Sequence, residues 1–202
     1  MSRKPLYFLA PLVLAAWAAQ SQGTLVFDQQ SADEAGRQEG GVPIQALQPM
    51  GQSFTPSLSG IDIVRLYLFD AGGGNGIGAT IRVNIRSGAI NGSTLGTTTP
   101  VTMGDSTGGF VDFLFPTTVL LTPGANYYLQ PIVDAGGDPW GVNKGRYGYS
   151  GGAAYYQAAA SDTEDLWFRE GILVPEPGLG VLVALGFFAL RGVRLMPRRG
   201  TR

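Results

Sequence analysis

Apolar residues recur at every second position through the middle of this 202-residue chain. The alternation is cleanest at residues 81–86, where Ile81, Val83 and Ile85 alternate with Arg82, Asn84 and Arg86. Successive side chains of a strand point to opposite faces, so this segment predicts a strand buried on one side. Residues 61–70 alternate as well: Ile61, Ile63, Arg65, Tyr67 and Phe69 against Asp62, Val64, Leu66, Leu68 and Asp70. Residues 110–115 place Val111, Phe113 and Phe115 on one face, and residues 119–121 form another short strand. Thr122-Pro123-Gly124-Ala125-Asn126 has turn chemistry, and residues 127–133 follow it as a strand. Residues 25–28, 51–55 and 166–170 complete the set. About eight short strands with Gly- and Pro-rich connections predict an all-β fold, an antiparallel β-sandwich of jelly-roll type. Helix is expected only at the two ends of the chain.

Those ends are patterned differently. Residues 1–22 begin with basic Arg3 and Lys4 and continue as an apolar run over residues 6–19, broken only by Pro11. Ala16-Trp17-Ala18 and Ala19-Gln20-Ser21 each offer small residues flanking a cleavage site. This is the pattern of an export signal helix. With no cysteine in the chain, it is not a lipoprotein signal. Residues 174–202 open with Val174, Pro175, Glu176 and Pro177, whose two prolines fix φ, remove two backbone donors and keep the stretch extended. An uninterrupted apolar run of 13 residues, 178–190, comes next. A bilayer span takes about 17–25 residues. Continuing to Met196 reaches 19, with Arg191 and Arg194 close enough to the helix end to snorkel. A transmembrane helix is therefore expected at about residues 178–196, with Arg191, Arg194, Arg198, Arg199 and Arg202 as a cytoplasmic stop-transfer cluster. Positive charge at both ends predicts that the segment between them, residues 23–173, is exported as one β-domain.

The tail resembles the PEP-CTERM protein-sorting signal of Gram-negative bacteria, on Val174 to Pro177, the apolar run and the arginine cluster in that order. The Sec-type signal pattern of residues 1–22 implies export by the Sec machinery, and the resemblance implies a single-pass intermediate in the inner membrane and removal of the tail by an exosortase. The product would reside at the cell surface or in the extracellular matrix. The body is similar to a group of bacterial secreted jelly-roll domains called choice-of-anchor domains. The similarity lies in Gly51-Gln52-Ser53-Phe54-Thr55, Leu66-Tyr67-Leu68, the strand at 81–86, the stretch from Leu121 to Leu129, Trp140-Gly141, Ala154-Tyr155, and Asp165-Leu166-Trp167-Phe168-Arg169. It implies a sandwich like those of carbohydrate-binding modules and carries no ligand with it.

Charge sharpens the picture. The whole chain has a net charge of −1, but residues 23–177 hold 15 acidic and 7 basic side chains, a net of −8. Such a body lacks the Lys/Arg surface that nucleic-acid binding requires. Histidine and cysteine are both absent, which removes Ser-His and Cys-His catalysis and the common ligands of zinc and copper. Catalysis would fall to paired carboxylates, for which Asp105, Asp112, Asp134, Asp138, Asp162, Glu164 and Asp165 are available. Aspartates in Gly-rich loops more often cap turns, so no catalytic residue, enzyme activity or cofactor is assigned. Asp134 with Asp138, and Asp162 with Glu164 and Asp165, offer carboxylates for calcium, or are simply solvated loop residues. Trp140, Tyr147, Tyr149, Tyr155 and Tyr156 crowd residues 140–156 beside Asn143, Lys144 and Arg146. They read either as core packing or as a platform on which a sugar could stack. The sequence thus describes an exported, exosortase-sorted envelope or matrix protein with a structural or adhesive sandwich. The alternative is a lectin-like module that holds exopolysaccharide.

Overall fold

The computed structural model describes residues 23–175. The expected signal segment and the tail beyond Pro175 lie outside the described residues. Fourteen strands follow one another. They are β1 (Thr24–Gln30), β2 (Gly41–Pro43), β3 (Gly51–Phe54), β4 (Gly60–Asp70), β5 (Ala79–Ser87), β6 (Ser93–Thr97) and β7 (Val101–Met103). Then come β8 (Gly108–Leu120), β9 (Tyr127–Ala135), β10 (Trp140–Gly145), β11 (Ala154–Tyr156), β12 (Ala159–Ala160), β13 (Asp165–Leu166) and β14 (Phe168–Val174). Among the described residues there is no α-helix, and none long and apolar enough to cross a membrane. Thr24–Val174 forms one compact unit.

The strands make two antiparallel sheets. The first has the order β1-β14-β4-β10-β13, with β2 on β10 and β8 on β4. The second has the order β12-β11-β3-β9-β5-β6, with β7 on β5. Strand β4 organises the first sheet. One edge pairs with β8, and the other is divided between β14 at positions 63–66 and β10 at positions 68–70. A bulge between Ile61 and Ile63 shifts the alternation by one residue. Inward positions are therefore Ile61, then Val64, Leu66 and Leu68, all fully buried, while Arg65 and Tyr67 turn outward. This corrects the unbroken alternation expected from Ile61 to Phe69. The Asp62 carboxylate secures the bulge by accepting from Thr118 Oγ1 at 2.5 Å and Leu173 N at 3.0 Å.

The expected face of β5 is the buried one. Ile81, Val83 and Ile85 are fully buried and share a core with Val64, Leu66, Leu68, Phe113, Leu129 and Phe168. Phe113 and Phe115 face inward as the alternation of 110–115 predicts. The separate strands expected at 110–115 and 119–121 are instead one strand, β8, running through Pro116. Proline is tolerated there because the β4–β8 register jumps between Leu114 and Val119, so no ladder donor is needed at 116. The edge made by β6 and β7 was invisible to the apolar pattern because its side chains are mostly exposed. Thr98 joins these two strands: its N–H donates to Val83 O at 3.0 Å, and its Oγ1 accepts from Val83 N at 2.9 Å.

Glu170 interrupts the apolar lining of β14. It is fully buried, and neither carboxyl oxygen has a hydrogen-bond partner. Burial, with the Asp28 carboxylate nearby, pushes its pKa up to about 8. Asp28 is also raised by burial, but donors from Ser57 and Leu58 outweigh that and hold it below its ordinary value, so it titrates in a separate, more acidic range. Between the ordinary glutamate range and pH 8 the folded state keeps a proton on Glu170 that the unfolded chain releases. Stability must therefore fall as pH rises through that window. Glu170→Gln is expected to remove a decline of a few kcal/mol between pH 5 and pH 8. Urea unfolding at the two pH values checks this, and an unchanged slope in the variant contradicts it.

Candidate metal centre

Three aspartates that are far apart in sequence meet at one end of the sandwich. Asp70 is the last residue of β4, Asp105 lies in the turn between β7 and β8, and Asp138 lies in the turn between β9 and β10. Because β8 and β10 flank β4, both turns converge on its end. Backbone bonds hold them there, from Asp70 N to Thr107 O at 2.9 Å and from Ala71 N to Pro139 O at 3.0 Å. Each aspartate places a carboxylate oxygen within 4.8 Å of the others.

The carboxylates differ in surroundings. Asp70 accepts from Gly72 N and Ser106 N, both at 2.8 Å. The Ser106 amide in particular holds its pKa below the usual value. Asp105 Oδ1 accepts from Gly74 N at 2.9 Å. Asp138 is 3% exposed, and its Oδ1 accepts from Asn75 Nδ2 at 2.8 Å. Its Oδ2 is buried without a partner. Burial, then the neighbouring Asp70, raise the Asp138 pKa. None of the five ion pairs among the described residues includes these three groups. The donor set is oxygen only, which suits a hard cation such as calcium or magnesium rather than zinc or copper.

Only Asp138 of the expected calcium ligands belongs to this cluster. Asp134 pairs with Arg82. Asp162 is exposed. Asp165 is buried, accepting from Gln52 Nε2 and Tyr149 N, both at 3.1 Å. Glu164 pairs with Lys144, and Asp112 with Arg65 at 2.5 Å. The alternation of residues 61–70 marks Asp70 only as the end of a strand, and Asp105 is one of the unassigned carboxylates. The one sequence signal is that all three sit in glycine-rich turns at strand ends. The strand order that unites those turns cannot be read from local sequence.

The aromatic residues of 140–156 are dispersed. Trp140 is fully buried in the core. Tyr149 packs edge-on against Phe168 at 5.1 Å, and its hydroxyl donates to Gln29 Oε1 at 3.0 Å. Tyr155 packs against Tyr128 at 5.2 Å. The Tyr147 hydroxyl donates to Asn143 Oδ1 at 2.6 Å and accepts from Gln38 N at 3.0 Å. Tyr156 packs on the core and donates to Glu164 at 3.3 Å. These contacts place the rings against separate neighbours instead of on one exposed surface. A groove of about 440 Å³ is lined by Arg37, Glu39, Tyr67, Phe69 and Asn143. Arg37 already stacks over Tyr67 at 4.2 Å. Of the tail motif, Val174 ends β14 opposite Thr24. Glu176, Pro177 and the arginine cluster from Arg191 onward lie outside the described residues.

No family model matches the chain. No curated protein matches it. Among solved structures it is similar to the D431N mutant VP2 protein of infectious bursal disease virus, in derived T=1 particles, with a TM-score of 0.30 and 14% identity. That match covers 95% of this chain and 53% of the viral one, so the chain spans about half of the protein it resembles.

Gly72 has no room for a side chain: a Cβ there would lie 2.2 Å from Asp138 Oδ1 and 3.1 Å from Pro139 Cδ. Gly72→Ala is expected to cost about 1–3 kcal/mol through overpacking. Gly109→Ala, with nothing within 4 Å of its Cβ, is expected to stay within about 0.5 kcal/mol of the parent. Thermal melts of the two variants decide this, and equal melting temperatures would contradict the packing described.

Proposed function

We propose that the protein is an exported, exosortase-sorted component of the cell envelope or extracellular matrix, with a jelly-roll-like body that serves a structural or adhesive role without catalysis. The observation that carries this reading is the succession of segments in the tail sequence: Val174-Pro175-Glu176-Pro177, the apolar run 178–190, and the arginines from Arg191 to Arg202. Prolines that keep this stretch extended would leave its backbone open to a processing enzyme, and the arginines would fix the orientation of a membrane segment. The body suits such a role. Its first and last strands pair side by side, with Thr24 opposite Val174, so the chain enters and leaves the sandwich at one corner. A domain held at one corner keeps its far end free for contact. With no cysteine, such an exported domain must be held by its core rather than by disulfides. Of the seven carboxylates available for acid–base chemistry, Asp112, Asp134 and Glu164 are tied up with Arg65, Arg82 and Lys144. A lectin-like reading has less support, because Trp140 lies in the core and Tyr149 and Tyr155 are packed against other rings.

Replacing Pro175, Glu176 and Pro177 by alanine is expected to leave export intact and to block tail removal. Alanine lets the helix extend through the site that proline keeps open. Intact-mass measurement of the parent and triple-alanine proteins in cells with and without an exosortase tests this. A parent tail that persists in the exosortase-bearing cells overturns the sorting claim.

A further inference from the structure

We propose that Asp70, Asp105 and Asp138 form a calcium-binding site at the end of the sandwich opposite the point where the chain enters and leaves. Geometry supplies the first reason. Three separate turns deliver three carboxylates whose oxygens lie within 4.8 Å of one another. Acidic side chains at that spacing repel unless a cation or a shared proton lies between them, and none of the ion pairs among the described residues involves these three. The second reason is independent of their number. Asp138 is 3% exposed, and its Oδ2 has no hydrogen-bond partner. Buried carboxylate oxygens are ordinarily satisfied, and an oxygen held dry beside two other carboxylates is suited to a metal.

The surroundings hold all three carboxylates in place. Asn75 Nδ2 donates to Asp138 Oδ1, and a Cβ at Gly72 would come within 2.2 Å of the same atom. Gly72 N and Ser106 N hold Asp70, and Gly74 N holds Asp105. These donors fix the carboxylates without neutralising them. Calcium fits this set better than its competitors. It accepts six to eight oxygens in irregular geometry and takes carboxylates as one- or two-oxygen ligands, with water completing the shell. Magnesium requires a near-ideal octahedron and keeps most of its water. Zinc and copper favour nitrogen and sulfur donors, and the chain has neither histidine nor cysteine.

Position gives the site a structural task. In the first sheet Gly171 pairs with Ile63, so Val174 lies near the level of the first residues of β4, while Asp70 ends that strand. The two ends are roughly 30 Å apart along the strand direction. A cation there would pin together the β4–β5, β7–β8 and β9–β10 connections at the free end of the body. This inference rests on the body alone and stands or falls independently of the tail.

The test is calorimetric titration of chelator-treated protein with calcium chloride at pH 7, together with thermal melts. One saturable site is expected, with a dissociation constant on the order of 10⁻⁴ to 10⁻³ M or tighter, and a higher melting temperature in saturating calcium. Asp138→Asn and Asp105→Asn are each expected to weaken binding at least tenfold and to lose the thermal shift, whereas Asp162→Asn should behave as the parent. Asp105 is part-exposed, so its variant keeps the test decisive if Asp138→Asn folds poorly. The site is overturned by no saturable binding in the parent, or by unchanged affinity in a folded Asp105→Asn. The calcium assignment is overturned by an equal response to magnesium.

Discussion

The structure depends on two sheets closing over one apolar layer without covalent help. The chain has no cysteine, so no cross-link limits its unfolded state. Ile81, Val83 and Ile85 from the second sheet must therefore meet Val64, Leu66, Leu68 and Phe168 from the first, and all seven are fully buried. Strand β4 makes this possible because it serves three neighbours, with β8 along one edge and β14 and β10 sharing the other. Its bulge then sets which residues face the core. Loss of that phase shift would turn Arg65 and Tyr67 inward.

The same strand links the core to the candidate site. Beyond Leu68, pairing with β10 continues to Asp70, the residue that anchors the acidic cluster. A carboxylate on the end of a well-paired strand is held more rigidly than one on a free loop. Asp105 and Asp138 are then brought in by the turns of the two strands that flank β4. The divided edge that shapes the first sheet thus also gathers three turns at its end.

Sequence patterning revealed the parts of the fold that bury one face and leave the other exposed. Strand β5 is the clearest case, since Ile81, Val83 and Ile85 lie in the core as their alternation requires. It failed where a local irregularity breaks the period. The irregularity near Asp62 on β4 and around Pro116 on β8 is a single register shift between the two strands, which no window of one strand contains. The exposed edge at β6 and β7 carried no apolar signal at all. Trp140 shows the same limit for function: a residue that could stack on a sugar is fully buried once β10 joins β4. The acidic cluster was legible only in part. Asp138 was recognisable as a cation ligand, but its partners are 33 and 68 residues away in the chain and come together only through sheet order.

Hydrogen exchange of the purified protein, with and without calcium, bears most directly on the link between β4 and the site. Amides of β4 at positions 63–68 should be strongly protected in both conditions, because they lie in the centre of a paired sheet. Residues 71–78, 104–107 and 136–139 should exchange faster without calcium and slow markedly when it is added. Slowing confined to other segments, or β4 amides that exchange as fast as those of the edge strands β6 and β12, would contradict the link.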